Sequence, residues 1–120
     1  RVLNSFLVFL EQSSPESVVI AATNHRAILD KALFRRFDTV LDYTLPDAAQ
    51  AVAVIRGRLG SMVRGDRLGA VAAHGEGVSH ADLVQAAEAA AKATLMAGGA
   101  RVTAAALGEA IEARKAAAIA

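Results

Sequence analysis

From Asp47 to the end of the chain, apolar residues recur every three or four positions, and many of them are alanine. This spacing places Ala51, Val54, Ile55 and Leu59 on one face of a helix, and Leu83, Ala87, Ala90, Ala91 and Leu95 on one face of another. Small side chains let helix axes approach closely, so the pattern predicts tightly packed helices with modest burial per residue. Local stop and start signals punctuate it. Asp47 with Gln50 forms a capping-box pair, and Gly60 ends the helix it opens. A shorter helix is expected over Asp66 to His74, closed by Gly75. Ser79 with Asp82 is a second cap-like pair; it opens a long helix closed by Gly98 and Gly99. Thr103 caps a final helix that runs to about Ile119 and carries Leu107, Ile111 and Arg114.

The first 45 residues read differently. Val2, Leu3, Phe6, Leu7, Phe9 and Leu10 follow helical spacing over about residues 1–12, and "SSPES" breaks that helix at Pro15. "VVIAAT", Val18 to Thr23, is a continuous run rich in β-branched residues, suited to a strand buried on both faces of a parallel sheet. Asp30 is placed to cap a short helix through Phe34 or Arg35. "TVLDYTL" reads as a second strand stopped by Pro46. The expectation is therefore an α/β piece over residues 1–45 followed by an all-α four-helix unit over residues 46–120.

Composition excludes several classes. The 120 residues are 54% hydrophobic, too apolar for a disordered chain. Formal net charge is +1, with basic and acidic residues interspersed, so no strong field points to nucleic acid or to an anionic membrane. There is no cysteine, which excludes disulfides and thiolate metal sites. No apolar run reaches the roughly 18–20 residues needed to span a bilayer, and no cleavable leader is visible. His25 and His74 lack a patterned third ligand and read as a loop and a helix-end residue. Asp38 and Asp42 do not read as a catalytic pair; Asp38 is expected to orient a neighbouring arginine.

One stretch remains, "ALFRRFD", Ala32 to Asp38, in which Arg35 and Arg36 stand together in an apolar run. By itself the pair reads as cations at a helix C-terminus, worth about 0.3–1 kcal/mol against the macrodipole. Asn24, after the first apolar run, reads by itself as a turn-capping residue. The order of the pieces says more. A buried strand, "ATN", "LDKALFRRFD", a second strand, "LPD" and helices that include "GVSHADL" resemble the C-terminal half of an AAA+ ATPase module, along nearly the whole chain.

The resemblance implies roles. Asn24 matches the polar residue called sensor 1, whose neutral amide serves a γ-phosphate oxygen and the attacking water. Arg36, aligned through "RFD", matches an arginine finger that acts in trans on a neighbouring subunit; Arg35 is a possible second finger. Such a residue is worth roughly 10³–10⁵ in rate in nucleotide hydrolases. The sequence departs from the common pattern of two arginines separated by an intervening pair, having the shorter "FRRFD". Gly77, His80 and Ala81 match the adenine side of the lid. His80 stands where the family usually has glycine, and it either stacks on adenine or points to solvent.

No G-x-x-x-x-G-K-[ST] occurs, and no apolar strand ends in paired acids. The expectation is a fragment whose phosphate loop and Mg²⁺-binding acids precede Arg1, inactive on its own. Its two strands are expected not to pair with each other and to be exposed. The resemblance implies a ring-forming, hexameric ATPase with ATP and Mg²⁺ as cofactors and a protein as substrate; it is expected to be cytoplasmic, and the bias to arginine over lysine and to alanine suggests a GC-rich, bacterial genome. The alternative readings are a non-catalytic helical interaction module and a catalytically dead AAA+ subunit.

Overall fold

The computed structural model describes residues 2–25, 31–63 and 68–119, in two compact units, residues 1–42 and 43–120. In the first unit, α1 is Val2–Glu11 and α2 is Lys31–Phe34. The Ser13 hydroxyl donates to the Leu10 carbonyl at 2.7 Å and so ends α1. A turn then closes from the Ser17 N–H to the Ser14 carbonyl at 2.8 Å, with Pro15 at the position that favours its fixed φ. Beyond α2 the N–H groups of Arg36 and Phe37 reach the carbonyls of Leu33 and Phe34, finishing it as a tightened turn. The Asp30 cap lies outside the described residues.

The expected sheet layer is not formed. Among the described residues there is no strand. Val18 to Thr23 and Thr39 to Leu45 form neither helix nor strand; Val18 and Ile20 are 86% and 89% exposed, and Leu41 72%. A β-branched apolar run favours extended backbone, but a strand exists only when a neighbour takes up its N–H and C=O groups. Neither run forms a strand among the described residues.

The second unit is helical. It contains α3 (Ala48–Leu59), a 3₁₀ turn at Gly60–Met62, α4 (Leu68–Ala72) running into a 3₁₀ turn at Ala73–Gly75, α5 (His80–Met96) and α6 (Ala104–Ile119). Helix α5 packs against α3 and α6, and α4 closes the opposite side by touching the same two helices. The core comprises Ala51, Ile55 and Leu59 of α3, Leu68 and Val71 of α4, Leu83, Ala86, Ala87 and Ala90 of α5, and Leu107 and Ile111 of α6. Alanine supplies most of the α5 contribution, as its spacing predicts.

Capping chemistry sets the helix ends. Asp47 accepts from the Gln50 N–H at 2.8 Å, while the Gln50 amide oxygen accepts from the Asp47 N–H at 3.0 Å, a complete capping box. Thr103 Oγ1 accepts from the Ala106 N–H at 3.2 Å. At the far end of α5 the Gly98 N–H reaches the Leu95 carbonyl and the Gly99 N–H the Thr94 carbonyl, with Gly98 at φ 77°, a Schellman ending. The sequence reading placed Leu95 inside; it is 59% exposed. It lies one turn beyond Ala90 and Ala91 and, with Met96, lines a shallow apolar groove beside Leu59 and Met62. The expected start of α4 at Asp66 lies outside the described residues.

Candidate functional site

The residues singled out from sequence fall into two groups, one in each unit. In the first unit Asn24 is exposed in a bend, flanked by Thr23 and His25, where the His25 N–H donates to Thr23 Oγ1 at 3.0 Å. Arg35 and Arg36 follow α2 directly and are both exposed. Arg36 forms an ion pair with Glu11 at the end of α1, each side chain about half exposed (48% and 50%). Among the described residues it is therefore Glu11, and not Asp38 as the sequence suggested, that meets an arginine of this pair.

In the second unit the segment from Gly75 to Asp82 is built for precision. The Val78 N–H donates to the Gly75 carbonyl at 3.1 Å, closing a four-residue turn. Gly77 occupies its third position at φ 78°, and Glu76 has negative φ, the combination of a type II turn that glycine fills without strain. Val78 then enters the core. Ser79 caps α5: its Oγ accepts from the Asp82 N–H at 3.1 Å and its hydroxyl donates to Asp82 Oδ2 at 2.7 Å. Arg114 of α6 donates to the other carboxylate oxygen from Nη2 at 2.6 Å and from Nε at 3.2 Å. The bonds from Arg114 and from the Ser79 hydroxyl hold the Asp82 carboxyl below its usual range. A second pair joins the 3₁₀ turn to α6: His74 Nδ1 lies 3.0 Å from Glu112 Oε1, which lowers the Glu112 pKa.

These bonds present Ser79, His80 and Ala81 along one wall of an open concavity of about 570 Å³. Tyr43, Thr44 and Leu45 line the remainder. None of the six is lysine, arginine, aspartate or glutamate, so the concavity suits an uncharged group with flat apolar faces. The structure thus brings His80 and Ala81 together in one site, with Gly77 in the turn that leads to them. The sequence reading took "TVLDYTL" as a strand and did not place Tyr43 in a site; the buried Pro46 and the Asp47 cap lie just beyond it. Among the described residues no group of three histidine, aspartate or glutamate side chains could hold a metal ion, and no helix is long and apolar enough to cross a membrane.

Comparison with known proteins gives two relatives of related kind. Over 118 residues, 93% of its length, the chain is 40% identical to the ATP-dependent zinc metalloprotease FtsH 3 of Sphaerobacter thermophilus. Over 49 residues, 41% of its length, it is 49% identical to y4kL, an uncharacterised AAA family ATPase of Sinorhizobium fredii. The chain spans 24% of the first protein and 15% of the second. No family model and no solved structure matches it. Similarity to proteins so named supports an AAA+ ATPase module.

Proposed function

We propose that the chain is the C-terminal part of an AAA+ ATPase module, with residues 1–45 belonging to its α/β domain and residues 46–120 forming its helical lid. In this reading the whole protein couples ATP hydrolysis to the remodelling of a protein substrate, as a ring of identical subunits, six in number. The observation that carries the reading is the 40% identity to an ATP-dependent protein across 93% of this chain. The order of "ATN", "RFD", "LPD" and "GVSHADL" along the sequence adds to it.

The roles follow from residue chemistry. Asn24 has a neutral amide that donates to one oxygen and accepts from a water, as a sensor of the terminal phosphate requires. Arg36 carries a permanent charge and a forked donor set, suited to a neighbouring subunit's phosphates, with Arg35 beside it as a second candidate. Gly77, His80 and Ala81 take the base side of the nucleotide. The lining of the lid concavity fits that assignment, being free of the charged side chains that phosphates would need. The Mg²⁺ that accompanies ATP is expected to be held by acids that precede Arg1. Bound ATP supplies the transferable phosphoryl group; this chain contributes polarity, charge and shape around it.

The test uses the intact protein. Arg36→Ala is expected to lower kcat by about 10³-fold or more, and mixing it with a phosphate-loop variant should recover part of the activity. Full activity of Arg36→Ala alone would show that the finger is elsewhere. Absence of ATP hydrolysis by the unaltered protein would favour the non-catalytic interaction module or the dead subunit.

A further inference from the structure

We propose that Arg114 of α6 is a positioning residue for nucleotide turnover: it holds Asp82, and through Asp82 the first turn of α5, so that His80 and Ala81 stand where the nucleotide meets them. This rests on the ATPase reading above; Arg114 acts at one remove and touches no nucleotide. The first support is the geometry of the contact. Arg114 reaches Asp82 Oδ1 from Nη2 at 2.6 Å and from Nε at 3.2 Å, across 32 positions of sequence. The Ser79 hydroxyl donates to Oδ2 at 2.7 Å, and its oxygen accepts from the Asp82 N–H at 3.1 Å. Both carboxylate oxygens are therefore engaged, from two different elements, and charge-assisted bonds of this kind fix orientation as well as distance. Ser79 alone suffices to cap α5. Arg114 adds a fixed relation between the start of α5 and the side of α6.

The second support is shelter. The Arg114 and Asp82 side chains are 37% and 28% exposed, against 54% and 47% for the Arg58–Glu88 pair that joins α3 to α5. A pair with less water around it is less screened and holds its geometry better. The lowered pKa of Asp82 keeps its carboxylate charged at neutral pH, so the tie persists there.

The third support is that α6 takes hold of the same segment a second time, at its other end. Glu112, two positions before Arg114, has Oε1 3.0 Å from His74 Nδ1. His74 immediately precedes Gly75, whose carbonyl closes the turn through Gly77. The segment that leads to His80 and Ala81 is thus fastened to one helix at both ends. A displacement of α6 carries these two residues with it, and a misplacement of about 1 Å in a binding group can cost about 10²-fold in rate.

The experiment measures steady-state ATP turnover and Tm for the intact protein and for Arg114→Met, Arg114→Lys, Asp82→Asn and the core variant Ile55→Val. Arg114→Met is expected to raise KM for ATP about 5- to 10-fold with kcat within about twofold, the pattern of lost uniform binding. Arg114→Lys keeps the charge but not the forked donor set, so its KM should fall between those of Arg114→Met and the unaltered protein. Joining Arg114→Met to Asp82→Asn should raise KM no further than either alone, since the same contact is lost each time. Ile55 is fully buried in α3, and Ile55→Val should lower Tm while leaving KM unchanged. A KM that rises as much in Ile55→Val as in Arg114→Met, at equal loss of Tm, overturns the positioning role, because general loosening would then suffice. An unchanged KM in Arg114→Met, with turnover intact, also overturns it and leaves the ATPase reading standing. Should Arg114→Met fail to fold, an unchanged KM in Asp82→Asn has the same force. Lack of ATP turnover by the unaltered protein overturns both readings.

Discussion

Gly75 should resist replacement by alanine, and the reason is distance alone. A Cβ built there would lie 3.1 Å from the Ala51 Cβ and 3.5 Å from Leu83 Cδ2. Optimal carbon separations are about 3.5–4.0 Å, so the first contact is short by several tenths of an ångström. Ala51 has no rotamer with which to retreat, being 1% exposed on α3, and Leu83 is fully buried. Overpacking of this kind costs about 1–3 kcal/mol. Gly75 does not have positive φ, so the substitution adds no backbone strain and recovers about 0.4–1 kcal/mol from the unfolded chain. The net expectation for Gly75→Ala is a loss of about 1–2 kcal/mol. Gly108→Ala is the matched control. Its Cβ would sit 3.7 Å and 3.8 Å from ring atoms of the half-exposed His74, ordinary contact, within helix α6. Helix propensity then predicts a gain of about 0.5–1 kcal/mol. Thermal unfolding followed by far-UV circular dichroism separates the two, since 1 kcal/mol moves Tm by about 4–8 °C in a domain of 60–100 residues. Adding Ala51→Gly to Gly75→Ala should cost less than the two singly, because it removes the clashing carbon. A Gly75→Ala chain at least as stable as Gly108→Ala would refute the close approach.

Two further perturbations test other parts of the unit. Asp47→Ala removes one half of the capping box and should destabilise the unit by about 0.5–2 kcal/mol, measured by urea denaturation at neutral pH. Asp82 has a folded pKa below the usual carboxylate range, set first by the Arg114 bond and then by the Ser79 hydroxyl. A depressed carboxylate pKa stabilises the fold above the unfolded value and ceases to do so as pH falls through the folded one. Tm of the unaltered chain should therefore drop more steeply below about pH 4 than that of Arg114→Met, in which the depression is largely removed; parallel profiles would count against the Asp82–Arg114 pair.

What could be read from the sequence tracks how local the physics is. The Asp47–Gln50 and Ser79–Asp82 caps, the Thr103 start and the Gly98–Gly99 ending each depend on groups within a few positions, and residue types alone reveal them. Leu95 was misread because helical spacing gives a face but not the length of the neighbour; α5 runs on past the core that α3 and α6 build against it. The two apolar runs, Val18 to Thr23 and Thr39 to Leu45, read as strands from sequence and form none among the described residues, for a stronger reason. Their β-branched residues express a preference for extended backbone, and the sheet that would satisfy it is a non-local property. Tyr43 lies in one of these runs, yet lines a concavity with Ser79, 36 positions away, a neighbourhood that local pattern does not reveal.

The Arg36–Glu11 pair joins this reasoning to the proposed trans role. Arg36 is not idle in the single chain; it is neutralised by Glu11 within its own unit. A finger must give up such a contact when it turns to a neighbour's phosphate. With both side chains about half exposed, the contact is a surface ion pair, worth about 0–1 kcal/mol. The gain on the other side, roughly 10³–10⁵ in rate, corresponds to several kcal/mol at the transition state. In the proposed trans role, the exchange favours the finger when a neighbour is present, with Glu11 as its partner when none is. Glu11→Gln should consequently leave hydrolysis by the assembled protein within a few-fold of the unaltered rate, measured at saturating ATP. A loss approaching that of Arg36→Ala would mean that Glu11 positions the arginine during catalysis and does not merely hold it at rest.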